Sequence, residues 1–328
     1  MTLAWRVHAH GEPADVLTLD DIDAPEPPAG AVTIDVAAAG LNFADILLCQ
    51  GTYQVRPTLP FTPGLELAGT VRAVGAGVDS IAVGQRVAAL PLLPAGALQQ
   101  VAVAKADDCL PLPDELDDVR AAAMIITYQT GWFGLRRRAQ LQPGETLVVH
   151  AGVSGVGSAA IQLGVAMGAR VIATAGGPDK VQRCLELGAH EAIDYRAVDL
   201  VEALRAATDG RGADVIYDPV GGDVFDASRR CLAFEGRLVV VGFASGTIPV
   251  APMNHALVKT YSILGLNWGS YRQHAPELVR AAHDELVGLL LAGTIDPLVM
   301  AVRPLADVPA ALELLADRGA IGKVVITP

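Results

Sequence analysis

The sequence predicts an α/β chain in two parts, a doubly wound parallel sheet and a smaller β-barrel. Three observations carry this. Residues 146–177 read TLVVHAGVSGVGSAAIQLGVAMGARVIATAGG: an apolar strand, a glycine turn, an apolar helix and a second β-branched strand. From residue 171 onward, strand-like runs and helical patterns alternate, which implies parallel strands joined by helical crossovers. Up to about residue 118 the chain instead shows short strand-like runs punctuated by Gly and Pro, the texture of a small barrel.

In order along the chain, the barrel strands are expected at 32–36, 68–74, 86–89 and 99–103, with breaks at Pro25-Glu26-Pro27-Pro28 and Phe61-Thr62-Pro63-Gly64. Gly75 and Gly77 lie between strand-like runs with no helix after them, so they read as a turn. A helix over 119–133 leads into the sheet. There follow strand 146–149, helix 158–167, strand 171–174, helix 179–187, strand 191–194, helix 200–207, strand 213–217, helix 223–232, and strands 237–241 and 261–265. The tail carries helices 276–291 and 308–315 and a last strand, 322–326. This places one domain at 123–266 and assigns 1–122 with 267–328 to the other.

The glycine turn, Gly152-Val153-Ser154-Gly155-Val156-Gly157, is the phosphate-binding start of a Rossmann dinucleotide fold. Backbone N–H groups and the positive end of a helix come close to a pyrophosphate there. An NAD site carries an acidic residue at the end of the second strand to grip the ribose. Here that stretch is Ala175-Gly176-Gly177, with Lys180 just beyond, which favours a 2′-phosphate and hence NADPH.

Composition limits the alternatives. The 328 residues suit two domains, and 52% are hydrophobic. The formal charge is −12, from 24 basic and 36 acidic side chains, which disfavours nucleic acid as a partner. The basic run Arg136-Arg137-Arg138 reads as a solvated helix end. Four scattered cysteines, without a CxxC pair, read as free thiols of a reducing compartment. No apolar signal core opens the chain and no stretch of about twenty apolar residues occurs, so the expected location is the cytoplasm.

The chain resembles the medium-chain dehydrogenase/reductase superfamily, in its zinc-free quinone oxidoreductase (zeta-crystallin-like) branch. The resemblance rests on GLNFADILLCQGTY (40–53), PFTPGLELAGTV (60–71), VGQRV (83–87), LQPGETLVVHAGVSGVG (141–157), DVIYDPVGG (214–222), RLVVVGFASG (237–246) and GKVVI (322–326). It implies a GroES-like β-barrel catalytic domain beside the Rossmann domain, and a homodimer. Zinc-dependent relatives carry a Cys where this chain has Asn42 and a His where it has Leu65, leaving Glu66 alone as a structural carboxylate. No metal is expected.

The implied activity is hydride transfer from NADPH to a quinone. Two alternatives stand beside it: reduction of α,β-unsaturated carbonyls (an enone, a 2-alkenal or an enoyl-CoA), and non-catalytic, crystallin-like NADPH binding. A developing oxyanion needs a hydrogen-bond donor. Tyr53 is the first candidate, either as proton donor or as pocket wall. Asn42 is the second, either as donor to substrate oxygen or as a local cap; Asp45 reads as ordering the helix that follows. For the cofactor, the resemblance implies Thr130 at the nicotinamide end. Ser154, Gly155, Val156 and Gly157 fall at the pyrophosphate, and Gly176, Lys180 and Tyr195 around the 2′-phosphate. The loop Gly242, Phe243, Ala244 and Ser245 falls beside the nicotinamide, with Asn267, Trp268 and Gly269 touching the cofactor. Lys323 is read as a phosphate contact or an exposed strand lysine. His150 reads as a strand-end packing residue, and no histidine is assigned to catalysis.

Overall fold

A computed structural model describes residues 1–316 and 319–328. In chain order the first elements are β1 (Thr2–Val7), α1 (Pro13–Val16), β2 (Leu17–Ile22), β3 (Ala31–Gly40), α2 (Phe43–Gln50), β4 (Leu67–Val74), β5 (Arg86–Pro91) and β6 (Val101–Pro111). Next come α3 (Asp118–Trp132), a π-helical turn (Phe133–Arg138), β7 (Thr146–Val149), α4 (Gly155–Ala166), β8 (Arg170–Ala175), α5 (Pro178–Glu186), β9 (Glu191–Asp194) and α6 (Leu200–Ala207). The remainder is β10 (Ala213–Asp218), α7 (Gly222–Ser228), β11 (Leu232–Val240), α8 (Met253–Lys259), β12 (Ser262–Gly265), α9 (Tyr271–His274), α10 (Pro276–Leu291), β13 (Val299–Pro304), α11 (Val308–Ala316) and β14 (Lys323–Thr327). Two compact units result: Met1–Ile126 with Pro297–Pro328, and Thr127–Asp296.

The first unit is the barrel. Its sheet runs β13-β14-β3-β4-β5-β6, and an added β3–β6 pairing closes it. β3 is the hub, antiparallel to β4, β6 and β14. Its inward residues Val32 and Ile34 join Leu67, Val71, Val87, Val324 and Ile326 in one buried cluster. Each such side chain contributes about 1.5–3 kcal/mol by leaving water. The chain's last strand is therefore a barrel strand, pinned by Val325 opposite Gly40 and Ile326 opposite Ala39. The Gly75–Gly77 segment is a turn, with Gly30 N–H on the Ala76 carbonyl at 2.9 Å.

The second unit is a six-stranded sheet ordered β12-β11-β10-β7-β8-β9, parallel throughout. The direction of winding changes between β7 and β10, which opens a crevice at their carboxyl ends. All four residues of β7 are buried, and α4 packs on β7 and β8 through its buried stretch from Gly157 to Gly164. At the other end of the sheet Arg237 grips Glu145 through two hydrogen bonds of 2.9 and 2.7 Å.

Three differences from the sequence reading have physical causes. The helix expected over 223–232 stops at Ser228, because the Ser228 hydroxyl bonds back to the Val224 carbonyl and Ala213 N–H pairs with the Cys231 carbonyl to begin the sheet register. Helix α4 begins at Gly155 rather than 158, since Ser154 caps it. Residues 267–296, expected with the barrel, pack in the parallel-sheet unit. The Trp268 indole donates to Gln129 Oε1 (3.1 Å), Trp132 to Glu285 Oε2 (3.1 Å), and Gln162 clasps the Asp296 backbone through both its amide atoms. Within the arginine run, Arg138 bonds the Gly265 carbonyl and Arg136 lies 3.5 Å from Glu285. Among the described residues no helix is long and apolar enough to cross a membrane.

Candidate active site

In the parallel-sheet unit, the glycine turn forms because two of its residues have no room for a side chain. A Cβ on Gly152 would lie 2.7 Å from Cys184 Sγ, and one on Gly157 would collide with the Ala151 carbonyl. Ala151 itself holds a left-handed φ of 49°, a strain of about 1–2 kcal/mol placed at the crevice. Ser154 Oγ accepts from Gly157 N–H at 3.1 Å, so this hydroxyl caps α4. No partner among the described residues takes up the N–H groups of Gly155 and Val156, which point from the positive end of the helix. They are donors suited to an anion.

A second anion-suited feature lies beyond β8. At Gly176 a Cβ would lie 2.7 Å from the Tyr195 hydroxyl and 2.8 Å from Arg196 Nε, so both side chains reach over this glycine. Gly177 adopts φ 97°, closed to other residues, and starts α5, whose first turn carries Lys180. Arg196 was missed in the sequence although it directly follows Tyr195. A carboxylate missed there is Asp194, at the end of β9. Its Oδ1 accepts from the backbone N–H groups of Gly177 (2.9 Å) and Arg196 (3.0 Å), which hold the carboxyl below its ordinary range. Asp194 thus builds the turn that presents Tyr195 and Arg196.

The loop after β11 is zipped to the turn after β10. Asp218 Oδ1 accepts from Val220 and Gly221 N–H at 2.8 and 3.0 Å. The carbonyls of Pro219 and Val220 then accept from Ala244 and Ser245 N–H, both at 3.0 Å. This ties Ala244 and Ser245, the end of the strip Gly242–Ser245, to that turn. Nearby, His150 is buried between Thr174 Oγ1 (2.9 Å) and Ser228 Oγ (2.8 Å), and burial holds its pKa down despite the charge of Asp218. It packs, as expected. Thr130 is buried in α3, and the Trp268 side chain is core, bonded to Gln129, between Asn267 and Gly269.

In the barrel unit, Asn42, Asp45, Glu66 and Lys323 form one buried polar cluster. Asp45 reaches back to Asn42 N–H at 2.8 Å, capping α2, and accepts from Gly64 N–H at 3.1 Å. Glu66 takes Lys323 Nζ (2.6 Å) and Asn42 Nδ2 (2.8 Å) on one oxygen and Ile126 N–H (2.8 Å) on the other. Lys323 also donates to the Leu41 carbonyl and, at 2.9 Å, to Asn42 Oδ1. Its three ammonium hydrogens are therefore spent inside the barrel. Lys323 is neither exposed nor free to reach a phosphate, which corrects both readings of it. Asn42 likewise gives its amide hydrogens to Glu66 and to the Gly40 carbonyl at 3.2 Å, so it has no hydrogen left for a substrate oxygen. Burial drives the Asp45 carboxyl up to about 7, against its backbone donors and Lys323. Tyr53 is half-buried against Val7, Leu48, Cys49 and Phe61, and burial, then the charge of Asp45, raises its phenol.

Two family models match the chain: an alcohol dehydrogenase GroES-like domain over residues 28–114 and a zinc-binding dehydrogenase domain over residues 155–284. A quinone oxidoreductase of Pseudomonas aeruginosa is 36% identical over 323 residues, covering 98% of both chains. A quinone oxidoreductase-like protein 2 homolog of Nematostella vectensis is 39% identical over 297 residues, covering 90% of this chain and 81% of its own. This chain belongs to the quinone oxidoreductase family of the medium-chain dehydrogenases/reductases. The crystal structure of the Escherichia coli quinone oxidoreductase complexed with NADPH superimposes with a TM-score of 0.93 at 32% identity, covering 99% of this chain and 100% of that one. The protein is thus an oxidoreductase of that family. Its second domain model speaks of zinc, and the donor set does not fit the metal. Asn42 and Leu65 replace the thiolate and imidazole of the zinc-dependent relatives, and Glu66 is taken up by an ammonium group. Among the described residues no group of three or more His, Cys, Asp or Glu is placed to hold a metal ion.

Proposed function

We propose that this quinone oxidoreductase family member is an NADPH-dependent reductase that works without a metal and whose acceptor is a quinone. The observation that carries the cofactor is Gly176 bordered by the Tyr195 hydroxyl and the Arg196 guanidinium, with Lys180 in the first turn of α5. A hydroxyl and two cations suit a 2′-phosphate. Gly155 and Val156 N–H would bind the pyrophosphate, and the Gly242–Ser245 strip would orient the nicotinamide. Bound NADPH supplies the hydride. Tyr53, a phenol protonated at neutral pH and raised further by burial and by Asp45, is the group that can donate to an acceptor oxygen. Asn42 and Lys323 position the barrel cluster around Glu66.

The test is NADPH oxidation by the chelator-treated protein, with a small quinone and a conjugated enal in parallel, repeated with NADH. Faster quinone turnover, specific for NADPH and indifferent to chelator, is expected. Preference for the enal would move the chain to the alkene reductases. NADPH binding without turnover would make it a binding protein.

The homodimer belongs to the same proposal. β12 ends the sheet with one open edge. Beside it in sequence, Ile248, Val250, Leu257 and Val258 are 73–87% exposed, and α8 buries none of its residues. An open edge flanked by an apolar surface fits a second copy of this sheet. Leu257→Glu/Val258→Glu is expected to give a monomer by sedimentation, and a variant sedimenting as the parent does would count against this face. The four cysteines, all buried free thiols, fit a reducing compartment, the cytoplasm.

A further inference from the structure

At the amino-terminal ends of β10 and β11, the sheet end opposite the glycine turn, the parallel-sheet unit has a recess of about 410 Å³. Four cationic side chains line it: Arg205, Arg211, Arg230 and Lys259. Arg211 is neutralised by Asp214 through contacts of 2.6 and 2.7 Å. The other three have no carboxylate partner among the described residues. Arg230 Nε is tethered to the Asp226 carbonyl at 3.0 Å, and Arg205 Nη2 lies 3.5 Å from the Arg230 carbonyl. Three uncompensated positive charges thus share one concavity in a chain whose formal charge is −12. Like charges gathered in this way repel unless an anion joins them.

Beside these cations Phe234 leaves 74% of its surface in water. An exposed aromatic ring next to guanidinium groups is the pairing that holds a base by stacking and its phosphates by charge. The volume is on the scale of small-molecule sites. We propose that this recess is a second ligand site, for a nucleoside di- or triphosphate. Two or three phosphate groups, each carrying at least one negative charge, match the three unpaired cations, and the base would lie on Phe234. The site shares no residue with the proposed NADPH site and stands independently of it.

The test uses the full-length protein in saturating NADP⁺, so that the glycine turn is occupied, titrated calorimetrically at low salt with ADP and, separately, with inorganic tripolyphosphate. Saturable ADP binding is expected, weakened about ten-fold or more in Arg205→Gln/Arg230→Gln, with NADPH turnover unchanged. Phe234→Ala is expected to weaken ADP several-fold, by about what one stacked base supplies, and to leave tripolyphosphate alone. Absence of saturable ADP binding, or equal affinity in the double variant, overturns the site. Equal binding of ADP by Phe234→Ala and the parent overturns the nucleoside assignment. Should the double variant melt early, Arg205→Gln alone, at an exposed position, provides the same comparison.

Discussion

The ammonium of Lys323 lies 2.6 Å from Glu66 Oε1, with the two side chains only 5% and 0% exposed. The final strand of the barrel thus delivers a positive charge to the one carboxylate left of a zinc-ligand pattern. A buried ion pair of this kind persists because its polar atoms are partnered, here by Leu41, Asn42 and Ile126.

Removing one partner leaves the other charge buried and unpaired. Lys323→Met is therefore expected to destabilise the protein by about 3–5 kcal/mol, and Lys323→Met/Glu66→Gln by less than the sum of the single changes. Denaturant unfolding of the four proteins checks this. Additive losses would show that the two groups do not act as a pair.

Asp45 gives the same cluster a pH dependence. Its folded-state value of about 7 lies above the ordinary carboxylate value of about 4, because burial favours the neutral form. Between those two pH values the folded state holds a proton that the unfolded state has lost. Stability from this group is greatest below the unfolded value and declines as pH rises through about 7. Asp45→Asn removes the titration, so the variant is expected to gain relative to its parent from pH 5 to pH 8, by on the order of 2–4 kcal/mol. Melting temperatures across that range decide it; a constant difference would place the titration elsewhere.

What was legible in the sequence was local. The glycine turn, the βα alternation and the capping role of Asp45 each depend on residues a few positions apart. The Lys323–Glu66 pair was not legible, because it joins residues 257 positions apart and no local pattern marks a strand lysine as buried. Helix α10 was located correctly but given to the wrong unit, since an amphipathic pattern states which face is buried and not against what. Arg196 and Asp194 flank Tyr195, itself singled out, yet their roles follow from a turn whose backbone geometry only the fold reveals.

Cofactor choice is expected to rest on charge at that turn. Lys180→Gln/Arg196→Gln should raise the KM for NADPH by about 10- to 100-fold while changing that for NADH little, because only NADPH carries the phosphate those cations would meet. Steady-state kinetics with both cofactors measure it. An equal rise for both would mean that the change acts on the fold of the turn.

Tyr53 separates the two acceptor chemistries. Delivery of hydride to a conjugated carbonyl creates a carbanion that must be protonated, whereas a quinone presents oxygens that water can reach. The raised phenol of Tyr53 is a donor at neutral pH, and phenylalanine keeps the ring while deleting the donor. Tyr53→Phe is therefore expected to lower kcat for an enal by about 100-fold or more and kcat for a quinone by much less. Equal, small effects on both would make Tyr53 a wall of the pocket, packed on Leu48 and Phe61 for shape alone.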